Sequence, residues 1–188
     1  VNHEQERARE LLAQSVESRL IEPLAHYAAL VLAANARFNL TGARDAEQFI
    51  PHILDSLTLV PYIRAPYIDI GSGAGLPGIP AALAARTATF LLEATAKKAA
   101  FLKETCEALG LGGTVQVVAA RAEEAGRDPA LREHFESATV RAVASGPAAI
   151  ELASPFLAIG GVAILQRGPA DANDRPALQA ASRAVGSV

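Results

Sequence analysis

The sequence predicts an α/β fold, with a mostly parallel sheet, helices on both of its faces and a helical cap before it. Two observations support this prediction. Up to about residue 61, apolar residues recur at the three- and four-residue spacing that is typical of helices. From Tyr67 onward, short apolar runs alternate with longer helical patterns. Strands that alternate with helices pair in parallel through right-handed crossovers.

The first predicted helical segment covers residues 4–36. Leu12 and Leu20 belong to an apolar stripe with an aliphatic residue at every fourth position, and Tyr27 continues this stripe. Proline lacks the backbone N–H that a helix interior uses. We therefore expect Pro23 to divide this segment into two helices.

A second helical segment is predicted to begin at Asp45. Asp45 is followed three residues later by Gln48, and this spacing resembles a capping box at the start of a helix. The segment should continue to about Pro61. Because Pro51 lies inside it, we expect a break or kink at that position.

The sequence divides into a helical cap, residues 1–62, and a core that contains the sheet, residues 63–188. Five apolar runs in the core are predicted to be strands: 67–70, 88–93, 115–119, 138–142 and 161–166. Three stretches are predicted to be helices: 77–86, 96–109 and 147–157. Leu102, Cys106 and Leu109 form the buried stripe of the middle helix. Ligands of such sheets bind at the carboxyl ends of the strands.

The loop after the first strand is the main candidate for a ligand site. Asp69, Gly71, Gly73 and Gly75 form an Asp-x-Gly-x-Gly-x-Gly pattern directly after a short apolar strand. Glycines at these positions allow a ligand to lie close to the backbone. The alternative interpretation is a glycine-rich turn that only packs a helix on a strand.

A P-loop is excluded at this loop, and a dinucleotide-binding loop, which is harder to dismiss, fails in its register. A P-loop needs Lys and then Ser or Thr after its last glycine, whereas Ile79 and Pro80 follow Gly78 here. A dinucleotide loop matches the letters G-x-G-x-x-G, but its first glycine should directly follow the strand, and in that register the third glycine position is Leu76. Prolines near the helix start also remove N–H groups that a pyrophosphate would use.

The pattern instead suits S-adenosylmethionine (SAM), which carries no phosphate. Glu93 ends the second predicted strand, 22 residues after Gly71. A carboxylate at this place can accept hydrogen bonds from both ribose hydroxyls. Because NAD sites use the same arrangement, Glu93 supports a nucleoside ligand without deciding which one. Ala122 and Glu123, after the third strand, are either an adenine contact or a solvated acidic turn.

Several polar residues outside the glycine loop are further candidates. Arg141 ends the fourth strand, so it either pairs with the SAM carboxylate or an RNA phosphate, or is a surface arginine. His52, Asp55 and Ser56 share one helical face, and Asn39 precedes them in a loop. These residues line the ligand site or receive the substrate, or else His52 and Asp55 form a polar network that holds the cap on the core.

The composition indicates which cellular compartment and which binding partners to expect. The chain is 51% hydrophobic. Its net charge of −3 argues against a strongly basic surface for nucleic acid, but it does not exclude a local basic patch. The single cysteine cannot form an internal disulfide, which favours a reducing compartment. The first ten residues lack an apolar leader, and no uncharged run is long enough to span a bilayer. We expect a monomer in the cytoplasm, with no membrane partner and no metal.

Six motifs occur in an order that resembles a known family: "NLTG", "HILDSL", "DIGSGAGLPGIP", "RAEE", "RAVAS" and "GGVAILQRGP". Together they resemble the bacterial 16S ribosomal RNA guanine-N7 methyltransferases, the glucose-inhibited division protein B family. The resemblance covers roughly residues 30–169. It implies a Rossmann-like SAM-dependent methyltransferase fold with an N-terminal helical cap. It also implies methyl transfer to N7 of a guanine, with 16S ribosomal RNA or the small ribosomal subunit as partner.

The resemblance assigns SAM contacts to Gly71, Leu76, Glu93, Ala94, Thr95, Ala122, Glu123 and Arg141. The sequence departs from the family at three of the matched positions. Glu93 stands where Asp is usual, Val140 replaces a serine, and Arg167 replaces a lysine after the fifth strand. We expect Arg167 to face RNA in a "QRGP" turn. The final hairpin expected in methyltransferase sheets is not visible in the sequence.

Two other functions stay open at this point. A small-molecule SAM-dependent methyltransferase is favoured slightly by the acidic balance and by the few aromatic residues, three Tyr and six Phe. A non-catalytic module that binds SAM and RNA is supported only by the departures at Val140 and Arg167. Methylation of guanine N7 needs no general base, and Cys106 lies on an apolar helix stripe, so we predict no certain catalytic side chain.

Overall fold

A five-stranded parallel sheet lies at the centre of the fold. The computed structural model describes residues 3–143, 145–167 and 175–186. The strands are β1 (Tyr67–Ile70), β2 (Thr89–Glu93), β3 (Val115–Ala119), β4 (Phe135–Arg141) and β5 (Leu157–Gln166). They lie side by side in the order β3-β2-β1-β4-β5, and every neighbouring pair is parallel. The central strand β1 is buried along its whole length.

Three helices precede the sheet and five follow its strands. They are α1 (His3–Leu12), α2 (Ser18–Asn35), α3 (Ala46–Leu57), α4 (Gly78–Ala85), α5 (Ala96–Ala108), α6 (Ala122–Ala125), α7 (Gly146–Ala153) and α8 (Arg175–Ala184). Two 3₁₀ turns, Val60–Tyr62 and Ser154–Phe156, precede β1 and β5. The predicted fold class is therefore confirmed.

Two hydrophobic clusters lie on opposite faces of the sheet. Leu91 belongs to the cluster formed with α4, α5 and the three cap helices. Leu92, the next residue, belongs to the cluster formed with α6 and α7. Successive side chains of a strand point to opposite faces, so β2 contributes to both cores. Because the cap shares its core with α4 and α5, the boundary between residues 62 and 63 stays a prediction.

The predicted division of a helix at Pro23 is wrong, and of the break or kink predicted at Pro51 the break does not occur. Helix α2 continues through Pro23, and the chain breaks earlier, between Leu12 and Ser18. Helix α3 likewise continues through Pro51. Both prolines stand in the sixth position of their helix, so each removes only one backbone hydrogen bond near the helix start. Packing of the apolar faces of these helices offsets that loss.

The predicted N-cap of α3 is confirmed, and further side-chain hydrogen bonds support the start of this helix. Asp45 Oδ1 accepts the N–H of Gln48 at 2.9 Å. The Gln48 side chain reaches back to the N–H of Arg44 at 3.2 Å, one residue before Asp45. Glu4 of α1 accepts the N–H of Ala46 at 2.8 Å, which ties α1 to the start of α3. Asp45 and Glu4 thus satisfy two of the N–H groups that the start of α3 leaves free.

Strands β4 and β5 begin earlier than predicted, and α7 ends earlier. β4 starts at the buried Phe135, and β5 starts at Leu157. Gly160 adopts a φ of 86°, and the register between β4 and β5 shifts between Phe135 and Ser137. Gly160 and Gly161 therefore form an irregularity inside β5 and do not mark its start. Helix α6 was not predicted, because one turn of helix gives no periodic signal.

Candidate functional site

The glycine loop has a backbone that only glycine adopts without strain. Gly71, Gly73 and Gly75 have φ angles of 73°, 57° and 103°. A side chain on Gly71 would meet Val143, and one on Gly75 would meet Ile79. Gly73 differs, because the nearest atom to an added Cβ would be the Gly71 carbonyl oxygen at 3.8 Å. The space in front of Gly73 is therefore open, as a ligand site requires.

Glu93 braces the loop from the end of β2. Its Oε2 accepts the N–H of Gly73 at 2.9 Å, and its Oε1 accepts the N–H of Thr95 at 2.8 Å. The residue is only 6% exposed, so these bonds satisfy a buried carboxylate. Each carboxylate oxygen can accept more than one hydrogen bond. Glu93 can therefore hold the loop and still accept the ribose hydroxyls that the sequence predicts.

Asp69 lies beneath the loop and is 1% exposed. Its Oδ1 accepts the Thr139 hydroxyl at 2.7 Å, and its Oδ2 accepts the N–H of Gly78 at 3.1 Å. Since Thr139 donates to Asp69, it accepts from the Tyr67 hydroxyl, 2.6 Å away. Burial raises the pKa of Asp69 to about 6, and the hydrogen bonds to Thr139 and Gly78 partly oppose this rise. Asp69 thus anchors the start of α4 from below.

A cavity of about 730 Å³ opens at the carboxyl ends of the strands. Four predicted contact residues line it, from the segments that follow three strands: Gly71 after β1, Ala94 after β2, and Ala122 and Glu123 after β3. Val143 and Leu152 form part of its wall. Ala94 of the predicted ribose turn and both predicted adenine contacts therefore face one cavity, whereas Glu93 and Thr95 are not part of its lining. Its size is within the range of small-molecule sites.

Arg141 contacts helix α3 of the cap. Its Nη1 donates to Ser56 Oγ at 3.1 Å, and its Nη2 lies 3.1 Å from His52 Nδ1. Asp55 Oδ2 is 3.6 Å from Nη2. These contacts form the polar network between cap and core that was one of the two interpretations of His52 and Asp55. The network places Arg141 and the three α3 residues together, although the sequence separates them by more than eighty positions.

Like Glu93, Thr95 and Arg141, three further predicted residues are not part of the cavity lining. Asn39 is exposed, in a loop whose Leu40 and Thr41 N–H groups donate to Asn35 Oδ1 at 2.8 and 3.0 Å. Leu76 packs against the cluster that the cap shares with α4 and α5. Arg167 is half-buried, and its guanidinium packs against the start of α7. Gly168 and Pro169 of the predicted turn lie outside the described residues.

Sequence reasoning missed three residues that shape the site. Tyr27 was assigned only to an apolar helix stripe, yet its hydroxyl donates to the Ala74 carbonyl at 3.0 Å. Asn35 holds the loop that contains Asn39, and its Nδ2 donates to the Ala43 carbonyl at 2.9 Å. Thr139 supports Asp69 from the next strand. Only a polar atom in an otherwise apolar pattern signals such roles in a sequence, since the partners are distant.

No group of three or more His, Cys, Asp or Glu side chains in residues 3–143, 145–167 and 175–186 is placed to hold a metal ion. Within the same residues, no helix has the length and apolar character needed to cross a membrane.

Sequence comparison connects the chain with one family. A family model described as rRNA small subunit methyltransferase G matches residues 20–186. The chain is 38% identical over 175 residues to ribosomal RNA small subunit methyltransferase G of Deinococcus deserti, a match that covers 90% of the chain and 70% of that relative. The protein of the same name in Trichormus variabilis is 36% identical over 170 residues, covering 85% of the chain and 69% of the relative.

Solved structures share the fold at lower identity. A precorrin-6y C5,15-methyltransferase from Geobacter metallireducens superposes with a TM-score of 0.54 at 18% identity, covering 70% of both chains. A SAM-dependent methyltransferase from Thiobacillus denitrificans, in complex with S-adenosyl-L-homocysteine, gives a TM-score of 0.50 at 20% identity. It covers 70% of this chain and 62% of the other. At these identities, the similarity concerns the fold.

Proposed function

Because the chain belongs to the rRNA small subunit methyltransferase G family, we propose that it methylates N7 of a guanine in 16S ribosomal RNA. The family membership makes it a SAM-dependent rRNA methyltransferase with a Rossmann-like fold. The proposal goes beyond family membership where it names guanine as the methylated base and N7 as the methylated atom. They rest on the resemblance of the motifs and on the chemistry that the site permits.

The glycine loop braced by Glu93 is the observation that carries the proposal. The loop holds three glycines at positive φ, and Glu93 fixes one of them, Gly73, through a backbone N–H. This arrangement leaves open space beside Gly73 and supplies a carboxylate for ribose hydroxyls. We assign the methionine part of SAM to the loop, the ribose to Glu93, and the adenine to the cavity wall at Ala122 and Glu123.

Methyl transfer to guanine N7 needs no proton acceptor. N7 carries a free in-plane lone pair, so it attacks the methyl carbon directly. The new N7–carbon bond forms while the carbon–sulfur bond breaks, and its electrons return to sulfur. The positive charge moves from the sulfonium to the methylated base, and S-adenosylhomocysteine leaves. No proton is lost in this step.

The enzyme therefore acts mainly by alignment. N7, the methyl carbon and sulfur must lie in a line while water is excluded. Such positioning contributes about 7–11 kcal/mol to a reaction between two bound partners. The rigid backbone at Gly71 and Gly75, packed against Val143 and Ile79, suits this role. We place the substrate guanine on the side of the loop that the cap covers, near Asn39, His52 and Asp55.

A transfer assay with radiolabelled SAM tests the proposal. Small ribosomal subunits, free 16S RNA and a metabolite extract serve as separate acceptors. The proposal predicts label in one or both RNA samples and none above background in the extract. Label only in the extract would support a small-molecule methyltransferase. Binding of SAM and RNA without transfer would support a non-catalytic module.

A matched pair of glycine variants controls the assay. Gly73→Ala places a methyl group in the open space of the loop, and Gly110→Ala places one in open space after α5. Both glycines have similar φ angles, 57° and 68°, so both variants carry similar backbone strain. We expect Gly73→Ala to weaken SAM binding at least tenfold, whereas Gly110→Ala should bind as the wild type does. Equal affinities in both variants would remove the loop from the cofactor site.

The same proposal includes a compartment, an oligomeric state and a division of the chain into cap and core. We place the enzyme in the cytoplasm, where its ribosomal substrate and a reducing environment occur together. We propose a monomer, which light scattering of the purified protein would check. We also propose residues 1–62 as the cap and 63–188 as the SAM-binding core, with Glu93, Ala94 and Thr95 at the ribose turn.

A further inference from the structure

The hydroxyl of Tyr27 connects the cap with the glycine loop. Tyr27 lies in α2, is 0% exposed, and donates to the Ala74 carbonyl at 3.0 Å. Its ring packs against Phe49 of α3 at 5.7 Å between ring centres. Burial raises the pKa of Tyr27 well above its ordinary value, so the hydroxyl keeps its proton and remains a donor. A buried tyrosine hydroxyl needs such a partner.

The bond from Tyr27 fixes the orientation of one peptide unit in the loop. The Ala74 carbonyl and the Gly75 N–H belong to the same planar peptide. That N–H donates to the Ser72 carbonyl at 2.7 Å, while the carbonyl accepts from Tyr27 at 3.0 Å. Both polar groups of this peptide are therefore held, one from inside the loop and one from the cap.

Glycines on this loop would otherwise let its peptides rotate. Gly73 and Gly75 flank Ala74 and adopt φ angles of 57° and 103°. Glycine reaches positive and negative φ with similar ease, so a peptide beside it has alternative orientations. Glu93 holds the Ser72–Gly73 peptide, two units earlier, through the Gly73 N–H. Tyr27 supplies the corresponding restraint on the Ala74–Gly75 peptide, from the cap.

We propose that Tyr27 is a positioning residue through which docking of the cap prepares the glycine loop for the cofactor. Cap docking and SAM binding are then linked, and each strengthens the other to the same extent. The hydroxyl acts through the loop backbone and does not touch the cofactor. This inference rests on the proposed SAM site, but it is independent of the base that is methylated.

Tyr27→Phe tests the inference because it removes the hydroxyl and keeps the ring. Isothermal titration with S-adenosylhomocysteine, without RNA, gives the affinity of each protein. We expect about a five- to tenfold loss in Tyr27→Phe, the effect of one lost hydrogen bond that leaves a buried carbonyl unsatisfied. In methyl transfer, KM for SAM should rise more than kcat falls.

Ser137→Ala is the matched control. Ser137 is also 0% exposed, and its hydroxyl accepts from the Arg64 N–H at 3.0 Å and donates to the Arg64 carbonyl at 2.7 Å. It pairs with Tyr67 at the start of β1, away from the glycine loop. This variant should lose thermal stability but keep the affinity for S-adenosylhomocysteine. A loss of stability with unchanged affinity in Tyr27→Phe would overturn the inference.

Hydrogen–deuterium exchange of the wild type gives a second test that needs no variant. The linkage predicts that S-adenosylhomocysteine slows amide exchange in α2 around Tyr27 as well as in the glycine loop. Slower exchange in the loop alone would overturn the inference, even if Tyr27→Phe did not fold. No binding of S-adenosylhomocysteine by the wild type would instead contradict the proposed function itself.

Discussion

At the scale of single residues, two buried carboxylates support the glycine loop in different ways. Glu93 accepts the Gly73 N–H beside the open space, whereas Asp69 accepts the Gly78 N–H below the loop. Asp69 is 1% exposed and Glu93 is 6% exposed. The Asp-x-Gly-x-Gly-x-Gly pattern predicted that Asp69 belongs to the site. Its position shows that it supports the loop and the start of α4 and lies below the surface that a cofactor would contact.

Glu93→Gln tests the ribose assignment. Glutamine keeps the size of the side chain but replaces one carboxylate oxygen with a donor. We expect the affinity for SAM to fall by about 1.5–3 kcal/mol, the scale of a hydrogen bond to a charged group. Part of this loss would come from the Gly73 N–H, which Glu93 now holds. Calorimetry measures the total loss.

A 2′-deoxyribose analogue of SAM separates the two contributions. If Glu93 accepts the ribose hydroxyls, removing the 2′-hydroxyl should weaken binding much more in the wild type than in Glu93→Gln. Equal losses in both proteins would show that Glu93 only braces the loop.

The raised pKa of Asp69 predicts a pH-dependent contribution to stability. Burial raises this pKa from 3.8 to about 6 in the folded chain. Between about pH 4 and pH 6, the folded protein holds a proton that the unfolded chain has released, so stability falls as pH rises. The stability of the wild type relative to Asp69→Asn should thus fall by about 2–3 kcal/mol between about pH 4 and pH 7. Urea unfolding at several pH values measures it, and a difference that increases with pH would contradict this account.

At the scale of elements, Arg141 is the main polar link between β4 and α3. Its guanidinium is 18% exposed and contacts Ser56, His52 and Asp55, whereas the Asp55 side chain is 54% exposed. An exposed ion pair contributes little to stability, because water screens it. The part-buried contact with Ser56 should therefore contribute most of the link.

Two variants separate these contributions. Arg141→Lys keeps the charge but loses the planar fork that reaches both Ser56 and His52. We expect it to lower the free energy of unfolding by about 1–2 kcal/mol. Asp55→Asn should change it by less than about 0.5 kcal/mol. A larger effect of Asp55→Asn would show that the ion pair, and not the hydrogen bonds, holds α3 on the core.

The elements that the sequence predicted well are those with local causes. The start of α3 was predicted from Asp45 and Gln48, which contact each other. The end of α5 follows from Gly110, whose φ of 68° lets the Leu111 N–H bond back to the Cys106 carbonyl at 2.8 Å. The helix that contains Pro23 was predicted less well. Whether a helix tolerates a proline near its start depends on packing against distant elements.

At the scale of the whole molecule, the site could be predicted only in part. Motifs placed the loop, Glu93 and the wall at Ala122 and Glu123 at one edge of the sheet, because the carboxyl ends of parallel strands meet there. The contact from Tyr27 to Ala74 joins residues 47 positions apart, and that from Arg141 to Ser56 joins residues 85 apart. No local pattern records such pairs, so the contact of Tyr27 with the loop and the role of Arg141 as partner of the α3 residues emerged only from the structure.

The central claim is methylation of guanine at N7, and analysis of the product tests it most directly. 16S RNA from small subunits lacking the modification would be treated with the enzyme and SAM, digested to nucleosides, and examined by mass spectrometry against standards. N7 attacks without losing a proton, so the account predicts 7-methylguanosine, formed much more slowly by Gly73→Ala than by Gly110→Ala. Methylation at N1 or the exocyclic N2 of guanine, which requires removal of a proton, or methylation of another base would contradict it.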